Sequence, residues 1–419
     1  MKLELPTIQN WSCHNCSGCC RQHAIEVTSE ERKRIEEQHW SSEDGITEGT
    51  RLMVPFGPFW NRRYRLAHRD DGSCLFLNDE GLCKIHAKFG EAAKPLPCRI
   101  YPYAFHPDGK KVTVSLRFSC PSVVANAGKP LHEQSRDIHE IANQVVPEKT
   151  IEIPPPRLSA GESVDWKDFH RFVRHLDQTF ADDSTPFPVK LLQAVFWVNL
   201  VGQAKFDNIR GQQLEEFLDL ITTAAKSEIV ERTDEIDPPT KLGLSQFRLL
   251  VAQYSRKDSF VEGIGSLRNR LRRLKIYWQF AFAQGLLPEM REGLAAFPFD
   301  DIEKPFNQMP SKAHEILSRY FRVKIQGLHF CGPAYYNVPF VEGFQSLALI
   351  VPAICWLARW HAVSDHRSSL VTEDIAQAIA FADHHHGYSP PFGGRSFRRR
   401  VRILSKTGDL QKLIQRYVC

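Results

Sequence analysis

Four cysteines crowd into one short run, Cys13-His14-Asn15-Cys16-Ser17-Gly18-Cys19-Cys20, and four more follow singly as Cys74, Cys83, Cys98 and Cys120. Eight of the chain's eleven cysteines therefore fall in its first 120 residues. Thiols this dense are either bridged to one another or bound to metal, and both outcomes tie distant parts of the chain to one point. Disulfide frameworks belong mostly to short secreted chains, whereas 419 residues suffice for two domains and a substantial core. The start, Met1-Lys2-Leu3-Glu4-Leu5-Pro6, lacks the charged leader and apolar run of a signal peptide. The longest apolar stretch, Leu347 to Ala358, has 12 residues and contains Pro352, short of the roughly 20 that cross a membrane. The expectation is a cytoplasmic protein with no membrane partner, in which clustered thiols signal metal or redox chemistry.

The fold class expected is mainly α: a small cysteine-rich α+β metal-binding domain over 1–150, then a multi-helical domain over 151–419. Two local turns organise the first part. Arg65 to His86 carries short apolar runs around Asn78-Asp79-Glu80-Gly81, a turn that brings Cys74 and Cys83 together. Tyr101, Tyr103 and Phe105 alternate against Val112, Val114 and Leu116 around Pro107-Asp108-Gly109, with the period of half-buried strands. This hairpin is expected to return Cys120 towards Cys98.

Beyond Ile153-Pro154-Pro155-Pro156 the spacing turns helical. Apolar faces form at Phe169, Phe172, Val173, Leu176 and Phe180; at Leu214, Phe217, Leu218 and Ile221; at Leu267, Leu271, Leu274 and Trp278; and at Ile316, Leu317, Tyr320 and Phe321. Segments 190–201 and 343–360 read as buried helices. Roughly eight helices are expected in all.

A Cys-x-x-Cys turn points two thiolates at one centre, and zinc and iron–sulfur clusters both use it. The overlapping pairs Cys13/Cys16 and Cys16/Cys19 resemble the ligand spacing of clostridial-type ferredoxins. Adjacent side chains usually diverge, so Cys19 and Cys20 are expected to serve different centres, or one of them none. All eight cysteines, Cys13, Cys16, Cys19, Cys20, Cys74, Cys83, Cys98 and Cys120, are candidate ligands, either of a four-iron four-sulfur cluster or of zinc. His86 is a substitute ligand by residue type and a plain turn-end histidine by position.

The run Cys13-x-x-Cys16-x-x-Cys19-Cys20, then Asp71-Gly72-Ser73-Cys74-Leu75-Phe76-Leu77, Gly81-Leu82-Cys83-Lys84-Ile85-His86 and Pro97-Cys98-Arg99-Ile100-Tyr101-Pro102, resembles the CxxCxxCC family over about residues 10–122. That family is a zinc- or iron-chelating domain and includes the flagellin lysine N-methylases. The resemblance implies methyl transfer from S-adenosylmethionine to a lysine of a protein substrate such as flagellin, with an iron–sulfur cluster in the N-terminal domain. No Gly-x-Gly-x-x-Gly fingerprint accompanies it; Gly263-Ile264-Gly265 is a weak signal with no preceding strand. The alternative is a non-enzymatic, zinc-stapled protein-binding module, and the third reading is electron transfer or metal handling.

The remaining features favour structural explanations. Net charge is +5 with pI near 8.6, short of what a nucleic-acid binder shows. Asp383-His384-His385-His386 reads as a polar helix end before a second metal site. Gly393-Gly394-Arg395-Ser396-Phe397-Arg398-Arg399-Arg400 and Arg268, Arg270, Arg272, Arg273, Lys275 read as solvated basic faces before anion sites. Tyr101 and Tyr103 read as strand-packing aromatics before site residues, and Cys355 as a buried small hydrophobe.

Overall fold

Alternation of side chains about Gly109 produces the longest hairpin among the described residues. Strand Tyr103–Asp108 pairs antiparallel with Lys111–Leu116, setting Tyr103 opposite Leu116 and Phe105 opposite Val114. Gly109 takes a positive φ at the turn. Strand Lys2–Glu4 adds in parallel to the outer side of Lys111–Leu116. A second three-stranded sheet joins Glu26–Val27, Arg63–Leu66 and Met53–Phe56, and Asn10–Trp11 pairs with Lys129–Pro130. The computed structural model describes residues 2–146, 153–231, 237–256, 267–304, 306 and 309–418.

Helices dominate the rest, with eleven between Trp166 and Val418 among the described residues. Helices beyond the expectation include the five-residue Phe299–Glu303, the strongly basic Arg395–Lys406 and the ten-residue Asp409–Val418. Boundaries follow local chemistry. Asp165 and Thr240 accept from the backbone N–H three residues on and open Trp166–Ala181 and Lys241–Tyr254. Phe169, Phe172, Val173, Leu176 and Phe180 are all buried, as are Ile316, Leu317, Tyr320 and Phe321.

The central helix Phe340–Ser364 is apolar on every side and nearly wholly buried, running through Pro352 to 25 residues. It is the one described helix long and apolar enough to cross a membrane, and here it is the core. Cys355 lies buried within it. The helix Leu267–Phe282 departs from expectation. Leu271, Leu274 and Trp278 are 66%, 64% and 52% exposed. This helix instead buries Phe280 against Phe299, Trp356 and Trp360. The side chains of Leu267, Arg268 and Arg270, and all of Gly263-Ile264-Gly265, lie outside what is described.

Apolar burial divides into two clusters. The smaller gathers Val27, Ile35, Met53, Leu66, Cys74, Phe76, Leu77 and Ile85. The larger unites the helices with the hairpin residues Tyr103, Val114 and Leu116 and with Phe118 and Cys120. The chain segment from Cys83 to Cys120 therefore passes from the small core to the large one.

Candidate metal centre and its cavity

The cysteine run leaves strand Asn10–Trp11 as an irregular loop, with Asn15 and Ser17 at positive φ, and closes in the short helix Gly18–Gln22. Cys13 and Cys16 are exposed, and the Cys13 thiol donates to Asn15 Oδ1 at 3.7 Å. The sulfurs of Cys19 and Cys20 approach to 3.9 Å. Divergence was the expectation for neighbours. In one helical turn, with the outer side taken up by solvent-exposed Arg21, the two thiols converge instead.

Backbone contacts carry the distant cysteines to the same place. Cys74 N–H donates to the Cys20 carbonyl at 2.8 Å. The turn at Asn78–Gly81 is closed by Asn78 Oδ1, which accepts from Leu82 N–H at 2.7 Å, and Leu77 bridges Cys83. Cys83 then caps the helix Lys84–Phe89, and Cys98 sits in Leu96–Ile100. Six of the eight thiols, those of Cys13, Cys19, Cys20, Cys74, Cys83 and Cys98, line one cavity of about 560 Å³. His86 lines it too, but no described contact distinguishes it as a ligand. Cys120 goes elsewhere. It caps the helix Pro121–Val124, is buried beside Trp11, and Cys16 is the thiol whose charge acts on it. The pairing of Asn10–Trp11 with Lys129–Pro130 just beyond sets it beside Trp11, and its charge also acts on Tyr101, three residues after Cys98.

The thiols oppose one another's ionisation. Cys19 is pushed up first by its contact with Cys20 and then by burial. Burial, followed by Cys83 and Cys19, pushes Cys74 up to about 12. Cys98 is raised by burial and then by Cys74 and Cys83. Lys94 works the other way at Cys19 and Cys98, as Arg69 does at Cys74. Such a group stays protonated until a cation neutralises it, and thiol donors select zinc or iron–sulfur clusters. The donor set therefore fits the metal. All ten described cysteines are free thiols.

The same cavity is walled by Tyr101, one of the two tyrosines weighed from the sequence, and by His23 and Arg117, which residue types alone did not reveal. The His23 ring packs 5.0 Å from Tyr101 and 5.0 Å from His384. Burial, then Arg117, lowers His23 to about 3. Behind the wall lies Asp383-His384-His385-His386, buried throughout and not a solvated helix end. Asp383 pairs with Lys324 at 2.7 Å and accepts from Ser119 N–H and Tyr320 OH, each at 3.2 Å. No three imidazoles there converge on one point among the described residues, so the second-metal expectation finds no support. The basic stretch after Gly394 is spent on an ion-paired cluster, with Arg398 and Arg402 both on Glu342.

Residues 12–121 match a family model, CxxCxxCC, described as a putative zinc- or iron-chelating domain. The match to the chelating-domain model is confined to this segment. It spans all eight N-terminal cysteines and about a quarter of the chain, leaving the helices unmatched. Comparison with the curated proteins and with the solved structures gives no match.

Within the CxxCxxCC domain, Gly81 holds the Asn78–Gly81 turn against the cysteine run. Its φ is +81°, and a β-carbon there would stand 2.8 Å from the Asn15 carbonyl oxygen. Gly81→Ala is expected to cost about 1–2 kcal/mol for the left-handed backbone alone. The displaced run should also lower metal content, read by mass spectrometry beside the melting temperature.

Proposed function

We propose that the CxxCxxCC domain carries an iron–sulfur centre and that the chain uses it to transfer the methyl group of S-adenosylmethionine to a lysine of a protein substrate, of which flagellin is the model. The observation that carries this reading is the cavity. About 560 Å³ beside the thiols exceeds what a zinc staple needs and falls in the range of organic-ligand sites. Cys19, Cys20, Cys74, Cys83 and Cys98, with Cys13 at the exposed side, are the residues that would hold the metal. A bound iron–sulfur cluster supplies redox and Lewis-acid chemistry at that point. The sulfurs favour it in their spacing: among the described residues no three lie within 4.8 Å of one another, whereas a tetrahedral zinc draws its four to about 3.8 Å.

The chain's own part is to position and to exclude water. Tyr101 and Tyr103 line the cavity, and aromatic faces attract a sulfonium cation. A substrate lysine must shed its proton before it has a lone pair to give, and the apolar lining from Ile25, Pro97 and Ile100 favours the neutral amine. A reducing cytoplasm suits the free thiols.

The second reading, a zinc-stapled protein-binding module, draws support from the 3.9 Å approach of Cys19 and Cys20, close to an edge of a zinc tetrahedron. Anaerobic purification with metal analysis and a visible spectrum separates the two. A brown protein with iron and acid-labile sulfide is expected, and a colourless one with stoichiometric zinc sinks the cluster. Calorimetry with S-adenosylmethionine on intact holoprotein tests methyl transfer separately; absence of binding removes it.

A further inference from the structure

Arg117 follows the strand Lys111–Leu116, anchored by its N–H to the Pro102 carbonyl at 2.8 Å, and its side chain lines the cavity. The guanidinium lies 3.7 Å over the Tyr388 ring and 5.7 Å from that of Tyr101. Among the described residues no carboxylate pairs with it and nothing accepts its hydrogen bonds; its Nε is buried without a partner. Arg322, Arg367 and Arg398 are paired with Asp177, Asp374 and Glu342; Arg319, Arg359 and Arg400 also carry a buried Nε without a partner, but none of them lines the cavity beside the thiols. Arg117 is half-buried, and its buried Nε, left without an acceptor, is costly unless something outside the chain completes it.

The thiols are not that partner. Lys94 and Arg69 are the cations that act on Cys19, Cys74 and Cys98, whereas Arg117 acts on His23, Tyr101, Tyr388 and His384. On the same wall, His23 Nε2 is also buried with no partner. Two unsatisfied polar atoms thus belong to adjoining side chains of an otherwise largely apolar cavity. Stacking on Tyr388 fixes the plane of the guanidinium and leaves its edge free, the geometry that grips a flat carboxylate with two parallel bonds.

We infer that Arg117, assisted by His23, is the clamp for the carboxylate of a small organic ligand whose body fills the cavity beside the thiols. The inference rests on the proposed function only in requiring a ligand next to the metal. The paired donors select a carboxylate head on an apolar or aromatic body. A guanidinium edge offers a carboxylate two parallel bonds, which Arg117 alone can supply.

The test compares wild-type holoprotein with Arg117→Met and Arg117→Lys, each first checked for unchanged metal content. Calorimetry uses S-adenosylmethionine and methylthioadenosine, which lacks the carboxylate. Expected are a 10- to 100-fold weaker S-adenosylmethionine affinity in Arg117→Met, a smaller loss in Arg117→Lys, and unchanged methylthioadenosine binding. Equal S-adenosylmethionine affinity in all three proteins overturns the clamp, as does an equal loss for both ligands. A second arm is independent of methyl transfer: benzoate is titrated against the melting temperature. If S-adenosylmethionine does not bind but benzoate stabilises wild type and not Arg117→Met, the methylase reading falls and the clamp stands. If benzoate stabilises neither protein and S-adenosylmethionine binds neither, the clamp falls. A variant that loses its metal is replaced in the comparison by Arg117→Lys, which keeps the charge and loses the fork.

Discussion

Serine at Cys74, Cys83 or Cys98 is expected to empty the centre, whereas serine at Cys120 is expected to leave it loaded. The first three line the cavity, and burial together with the neighbouring thiols raises Cys74 and Cys98, so these two depend on a metal to become thiolate. A serine hydroxyl is a hard donor that stays protonated at neutral pH, and a structural zinc bound by four ligands contributes on the order of 10–16 kcal/mol. Removing one ligand should therefore cut metal content from stoichiometric to near zero after desalting. Cys19 and Cys20 should behave differently from those three. Their sulfurs lie 3.9 Å apart, so either one alone can partly replace the other, and only the double serine variant should match Cys98→Ser. Cys120 is buried beside Trp11 and is not among the residues lining the cavity, so its serine variant is expected to keep the metal. Metal-to-protein ratios across the series decide the matter. Should Cys120→Ser lose metal as completely as Cys98→Ser, the cavity is not the whole centre and the run at Cys13 and Cys16 must reach further than it does here.

What the sequence discloses and what it hides separate along the range of the interactions involved. The hairpin over Tyr103–Leu116 is legible because alternation and the Asp108–Gly109 turn are local facts, and the register follows from them. The meeting of Cys74 and Cys83 is legible for the same reason, through the Asn78–Gly81 turn. The position of Cys120 beside Trp11, outside the cavity lining, is less legible because it depends on the pairing of Asn10–Trp11 with Lys129–Pro130, two strands more than a hundred residues apart. Asp383-His384-His385-His386 looks solvent-facing by composition. It is buried because Lys324 and Ser119, supplied from other elements, satisfy Asp383, and Tyr254 holds His386. Arg117 carries no motif at all. Its meaning comes from the missing carboxylate around it, and an absence of that kind exists only in three dimensions. The face of Leu271, Leu274 and Trp278 shows the converse: periodicity marks an amphipathic helix but not which face the core takes.

Lys324→Met is expected to lower stability by about 3–5 kcal/mol, the usual cost of leaving a buried charge without its partner. Lys324 and Asp383 are both 0% exposed and 2.7 Å apart. Burial pushes the Lys324 ammonium below its usual range, and Asp383 pulls it back. Without the lysine, Asp383 keeps only Ser119 N–H and Tyr320 OH, two neutral donors for a desolvated carboxylate. Removing the carboxylate as well, in Lys324→Met with Asp383→Leu, should recover most of the loss, because a buried pair replaced by apolar groups of similar volume is often near neutral. Urea midpoints for the two single variants and the double variant isolate the coupling. The pair also has a place in the site. Lys324 donates to the Leu116 carbonyl at 3.2 Å while Asp383 accepts from Ser119, so the two grip the chain on either side of Arg117. Loosening that grip should weaken ligand binding in Lys324→Met even under conditions where the protein remains folded and its metal content is unchanged. A single variant within about 1 kcal/mol of wild type would show that water or a local shift compensates Asp383, and would remove the argument that this buried pair anchors the cavity wall.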